Sequence, residues 1–148
     1  MATLTTTVTE SVVLNGSNQG SSNTLSITGI NDVYKRIVSC PASATTTVLT
    51  FNDAVSGAAG AVDAQLSKYI RVTNLDSTNP VELAVVGAAT LYQVTLAAGH
   101  SHVLGSADDL MLAEADTGPS FGTMADIVTL QVNPDGNAVS VELFIASA

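Results

Sequence analysis

Runs of Val, Ile, Leu, Thr and Tyr recur along this chain between Gly, Asn, Pro and Asp. No stretch keeps the roughly 3.6-residue apolar period of a helix for long enough to form one. The pattern predicts strands near 4–13, 24–30, 34–39, 46–51, 69–74, 81–86, 91–96, 101–104, 110–114, 127–132 and 138–145. Asn15 to Asn23 (NGSNQGSSN) and Asp116 to Thr123 (DTGPSFGT) read as loops. Ala54 to Ala64 (AVSGAAGAVDA) reads as a small-residue connection with one helical turn at most. So many short strands in 148 residues form two packed antiparallel sheets. The expected fold is all-β, a single-domain antiparallel β-sandwich of jelly-roll type over residues 1–148, with 1–8 as an extended N-terminal arm. A closed barrel is the alternative.

Two hairpins are expected. Tyr69 to Thr73 alternates apolar and polar residues, Asn74-Leu75-Asp76-Ser77-Thr78-Asn79-Pro80 turns the chain, and Val81, Leu83 and Val85 return. Val128, Leu130 and Val132 lead into Asn133-Pro134-Asp135-Gly136-Asn137, where Pro presets φ and Gly supplies a positive one. The exit strand sets Val139, Val141, Leu143 and Ile145 on one face, with Ser140 and Glu142 on the other.

Charge narrows the partners. Charged residues are 11% of the chain, against about 25% in ordinary domains, and the net charge is -9. All four cations (Lys35, Arg36, Lys68, Arg71) lie before residue 72, balanced by four acids. Residues 72–148 hold nine acids and no cation, which accounts for the whole -9. Such a chain repels phosphate backbones and anionic lipid, so neither nucleic acid nor membrane is an expected partner. Cys40 is alone and forms no intrachain disulfide. The opening Met1-Ala2-Thr3-Leu4-Thr5-Thr6-Thr7 lacks the basic and apolar blocks of a signal peptide, so secretion by that route is not expected. If the cation-free half formed one coherent face, that face would stay in water. Docking would then fall to the N-terminal part: Thr3, Leu4, Thr5, Thr7, Lys35 and Arg36.

No motif makes a case for an enzyme. Gly118-Pro119-Ser120-Phe121-Gly122 fits the spacing of a nucleophile elbow, but both histidines precede the Ser and no helix follows. His100-Ser101-His102 would put two imidazoles on one strand face as candidate metal ligands, although no third ligand is identifiable. The pair resembles the H-x-H motifs that bind iron on the three-fold axis of phage tail spikes and fibres. The plainer alternative is that His102 packs as a strand residue. Asp108, Asp109, Glu114 and Asp116 would suit calcium but lack EF-hand spacing. Lys35-Arg36 reads equally as a contact patch or as protection of a strand edge. Neither metal nor cofactor is expected.

Three segments carry a family resemblance: Thr9-Glu10-Ser11-Val12-Val13-Leu14-Asn15-Gly16 leading to Ile27-Thr28-Gly29-Ile30, then Lys68-Tyr69-Ile70-Arg71-Val72-Thr73-Asn74-Leu75-Asp76, then Tyr92-Gln93-Val94-Thr95-Leu96-Ala97-Ala98-Gly99-His100-Ser101. Together they resemble tailed-phage virion structural proteins of the capsid decoration (cement) type. The resemblance implies a jelly roll or sandwich, a homo-oligomer with a trimer favoured, and docking on the major capsid protein lattice. It also implies residence on the capsid exterior after assembly in the host cytoplasm. A tail, collar or fibre component is the alternative in the same setting, and a carbohydrate-binding β-sandwich module the alternative outside it.

Overall fold

The computed structural model describes residues 1–52, 62–113, 118, 119 and 121–148. Thirteen strands are formed among them. An N-terminal ribbon holds β1 (Ala2–Thr9), β2 (Val13–Leu14), β3 (Ser17–Asn18) and β4 (Ser22–Ile30). The body holds β5 (Asp32–Cys40), β6 (Thr46–Asn52), β7 (Val62–Asp63), β8 (Ser67–Asn74), β9 (Val81–Gly87), β10 (Leu91–Leu96), β11 (Ser101–Leu104), β12 (Ile127–Asn133) and β13 (Val139–Ser147).

The body is an antiparallel sandwich of a five-stranded sheet, β10-β9-β12-β6-β7, and a four-stranded sheet, β11-β8-β13-β5. The pairings nest. β9 pairs with β10, β8 with β11, β6 with β12 and β5 with β13, as in one long antiparallel ribbon rolled up on itself. That winding is a jelly roll. β7 alone runs parallel to its neighbour, matching Phe51 with Val62 and Asn52 with Asp63.

Strict alternation builds the core. Val139, Val141, Leu143 and Ile145 of β13 point inward and are fully buried, as are Ile70 and Val72 of β8. The facing sheet contributes Val81, Leu83 and Val85 of β9, with Ile127, Leu130 and Val132 of β12. A register shift between Ile127 and Thr129 turns Val128 out to solvent, so Ile127 takes the inward place that alternation alone gives to 128.

Several expectations are corrected. The two expected hairpins are arches between sheets: β8 and β9 lie in different sheets, and so do β12 and β13. Turn residues mark a reversal but do not decide whether the flanking strands bond to each other or stack about 10 Å apart. In the first arch, the buried Asn74 amide donates to the carbonyls of Asn79, Leu96 and Ala97, and its Oδ1 accepts from Asp76 N. The expected strand at 110–114 is reduced to one antiparallel bridge, Met111 to Ala125, and residue 114 lies outside the described residues. The expected strand 4–13 ends at Thr9. The segment read as a loop, 15–23, is instead the tip and return of the ribbon, since Asn15 and Gly16 both adopt positive φ (52° and 77°). Most of the Ala54 to Ala64 connection lies outside the described residues.

The charge split along the sequence is not a split in space. Each sheet contains strands from both halves of the chain, and in the four-stranded sheet they alternate. The acidic half therefore forms no separate face, and its Glu142 sits between two cations of the other half.

Candidate functional site

The N-terminal ribbon stands apart from both sheets. Among the described residues β1 pairs only with β4, in register from Thr3–Thr28 to Thr9–Ser22. Alternation gives its two faces opposite chemistry. One face is made wholly of hydroxyl residues, in the cross-strand pairs Thr3–Thr28, Thr5–Ser26, Thr7–Thr24 and Thr9–Ser22. The outer two pairs are hydrogen-bonded through their side chains, at 3.1 Å each. The other face carries Leu4 with Ile27, Thr6 with Leu25 and Val8 with Asn23. Glu10 lies where the ribbon narrows toward its tip, its carboxylate accepting from Ser21 Oγ at 2.7 Å. Gly20 passes so close to Glu10 that a Cβ there would collide with the Glu10 carbonyl oxygen.

Among the described residues, only the root of the ribbon is covered. Leu4 and Ile27 pack against Tyr69, Phe144 and Ala146 on the outer face of the four-stranded sheet, beside the buried Ile30. That contact leaves Tyr69 only 5% exposed although it points away from the main core. Phe144 meets Tyr69 edge-on, with ring centroids 6.1 Å apart. Farther out, Val8, Val12 and Leu25 are each more than half exposed, and Val13 at the tip is 70% exposed.

Next to this root, the same outer face carries an ion network. Arg71 Nη2 donates to Glu142 Oε1 at 2.7 Å, and Lys35 Nζ lies 3.4 Å from Glu142 Oε2. The Arg71 guanidinium also lies 5.8 Å from the Phe144 ring centroid and donates to Thr73 Oγ1, which bonds Ser101 Oγ at 2.7 Å. The Arg71 hydrogen bond holds the Glu142 carboxyl below its ordinary pKa, partly opposed by burial and assisted by Lys35.

The residues singled out from the sequence are thus distributed over several places. Thr3, Thr5 and Thr7 share the hydroxyl face, while Leu4 belongs to the covered apolar face. Lys35 and Arg36 fall on opposite faces of edge strand β5: Lys35 joins the network, and Arg36 pairs in register with the inward-facing Leu143 yet remains exposed. A charge on the core side of an edge strand guards against edge-to-edge pairing. His100 and His102 do not share a strand face, because β11 begins at Ser101 and His100 is in the turn after Gly99 (φ 74°). His102 Nε2 is 3.0 Å from Tyr92 Oη, and burial lowers the imidazole pKa.

The acids regroup. Carboxylate oxygens of Asp108, Asp109 and Asp126 lie within 4.8 Å of one another, whereas Glu114 and Asp116 lie outside the described residues. Burial, and then the charges of Asp109 and Asp126, raise the Asp108 pKa. Three carboxylates are the donor chemistry of a hard cation, although Asp109 N already donates to Asp126 Oδ1 at 2.8 Å. Ser120 of the elbow-like motif lies outside the described residues, and Gly118 and Phe121 flank it at positive φ. Among the described aromatics, Phe121 alone is widely exposed, at 81%, and it sits in a loop. The flat aromatic platform of a sugar-binding sheet is therefore missing among them.

Sequence reasoning missed the Tyr69–Phe144–Arg71–Glu142 arrangement and Asp126. Phe144 carried a signal for the first: an aromatic on the outward side of a strand marks a face that something covers.

No protein-family model matches this chain, and no curated protein matches it. Among solved structures it is similar to a protein from work titled "Bacillus endospore appendages form a novel family of disulfide-linked pili". The two are 12% identical over 78% of this chain and 87% of that one, at a TM-score of 0.43, a likeness too loose to bear on function.

Proposed function

We propose that this chain is a non-enzymatic structural protein of a tailed-phage virion, of the capsid-decoration type, which docks on the major capsid protein lattice through its N-terminal ribbon. The observation that carries the reading is the ribbon itself. A two-stranded ribbon is marginal alone in water, and this one projects a flat face of eight hydroxyl side chains with no charge among them. Hydroxyls that can donate or accept suit a polar protein surface, and they place no carboxylate of a -9 chain in the contact. The virion setting comes from the sequence resemblance. The mechanism is mechanical: bound copies bridge neighbouring capsomers, and linked sites make modest affinity per contact sufficient.

Co-sedimentation with empty shells tests it. Thr5→Lys and Thr7→Lys on the hydroxyl face should abolish binding, and Asp108→Asn with Asp126→Asn should leave it unchanged. Binding that survives the ribbon changes and fails with the acidic ones would overturn the proposal.

A further inference from the structure

The other face of the ribbon has its own partner. We infer that its uncovered apolar part, around Val8 and Leu25, docks on the outer face of the four-stranded sheet of a second copy of this chain, with Glu10 meeting Lys35 across the contact. The inference is independent of the virion reading, which concerns the opposite face.

Three observations select a second copy. The first is continuity. The ribbon's root already packs its apolar face on Tyr69, Phe144 and Ala146, so this pairing of surfaces is one the molecule makes within itself. The same sheet face extends beyond the root into side chains left open among the described residues: Ile37 is 60% exposed, and Val33 and Val103 are about half exposed. These are aliphatic groups on a flat surface, matching the aliphatic strip that the outer ribbon presents.

Charge is the second. Residues 1–30 contain a single ionic side chain, Glu10. The sheet face carries Lys35 and Arg71 against Glu142, so cations outnumber acids there, on a chain whose net charge is -9. Two copies that approached through most other surfaces would bring carboxylates together. This approach brings a nearly neutral ribbon with one acid onto a face with one net positive charge. Lys35 is held only loosely, 3.4 Å from Glu142 with its side chain 61% exposed, and keeps donors free for a second carboxylate.

The third is the energetic state of the free ribbon. Val8 and Leu25 are more than half exposed on its apolar face, and Val12, Val13 and Leu14 are exposed nearer the tip, in a ribbon whose strands have one bonded neighbour each. Two-stranded ribbons need a third partner or a packed face to persist. A second copy supplies that face wherever the protein is concentrated.

Light scattering on the full chain, with chemical cross-linking, tests the inference. The wild-type mass should be a multiple of 15.0 kDa at micromolar concentration. It should fall to that of one chain in Val8→Ser/Leu25→Ser and in Glu10→Lys, and recover in Glu10→Lys combined with Lys35→Glu. A monomeric wild type, or a double variant no better associated than Glu10→Lys, overturns the inference. Lys35→Glu could also loosen the fold, so a second measurement uses wild-type protein alone. Isotope-labelled and unlabelled copies are mixed and joined by a zero-length carboxyl-to-amine cross-linker. Glu10–Lys35 cross-links should then join labelled to unlabelled chains, and cross-links confined to single chains, or none at this pair, overturn it.

Discussion

Arg71 and Glu142 meet at 2.7 Å on the outer face of the sheet, and the same guanidinium lies 5.8 Å from the ring centroid of Phe144, a residue of the cluster that holds the ribbon's root. The pair therefore ties β8 to β13 beside the surface on which the ribbon rests. Because the hydrogen bond lowers the Glu142 pKa on folding, its contribution is fully present above the unfolded-state pKa. It is lost as pH falls through the folded one. Melting temperature plotted against pH should separate wild type from Glu142→Gln at neutral pH, with the gap closing once the medium is more acidic than the ordinary glutamate range. A gap that persists unchanged in acid would show that the pair contributes nothing through its charge.

His102 should act in the opposite sense to a paired cation. Burial lowers its pKa, so the unfolded chain takes up the proton more readily. Stability is then full above the unfolded-state value, about 6.5, and declines as pH drops below it. His102→Phe keeps a ring against Tyr92 and should flatten that decline in urea titrations. An unchanged slope would mean that another group titrates there.

Asn74→Ala should destabilise the sandwich by about 3 kcal/mol, because it strips one donor group from three carbonyls and one acceptor from Asp76 N. Denaturant unfolding measures it. A cost below about 1 kcal/mol would mean that water replaces the amide without loss.

Gly20→Ala should act locally. A methyl group at that position collides with the Glu10 carbonyl, so strand pairing beyond Thr9 must give way while the body is untouched. Amide hydrogen exchange should quicken in residues 10–21 and stay slow in β8 and β13. Uniform quickening throughout the chain would show that ribbon and body unfold together.

The body was the readable part of this sequence. Val139, Val141, Leu143 and Ile145 alternate without interruption, and a strand covered by the core on one side and open on the other has no other way to be written. Pairing partners were not readable, because Asn74 to Pro80 and Asn133 to Asn137 have turn chemistry that serves arches and hairpins alike. Val128 shows the limit of period counting, since one extra residue in a strand exchanges inside for outside. At the candidate site, alternation placed Lys35 and Arg36 back to back, a consequence of adjacency that reading them as one patch overlooked. His100 and His102 failed as a pair because Gly99 bends the chain before the strand begins. Asp126 comes from a distant loop and joins Asp108 and Asp109 only in three dimensions.

The rolled ribbon also sets a timetable. β13 lies in the middle of its sheet, between β5 and β8, and both bond to it along most of its length. Until residues 139–147 have left the ribosome those two strands have no common neighbour, and the core lacks Val139, Val141, Leu143 and Ile145. The four-stranded sheet can therefore close only once β13 is available, with the slow search that distant pairings impose. A nascent chain stalled before Val139 should remain open to protease in β5 and β8, and one in which Val139 to Ser147 are clear of the ribosome should not.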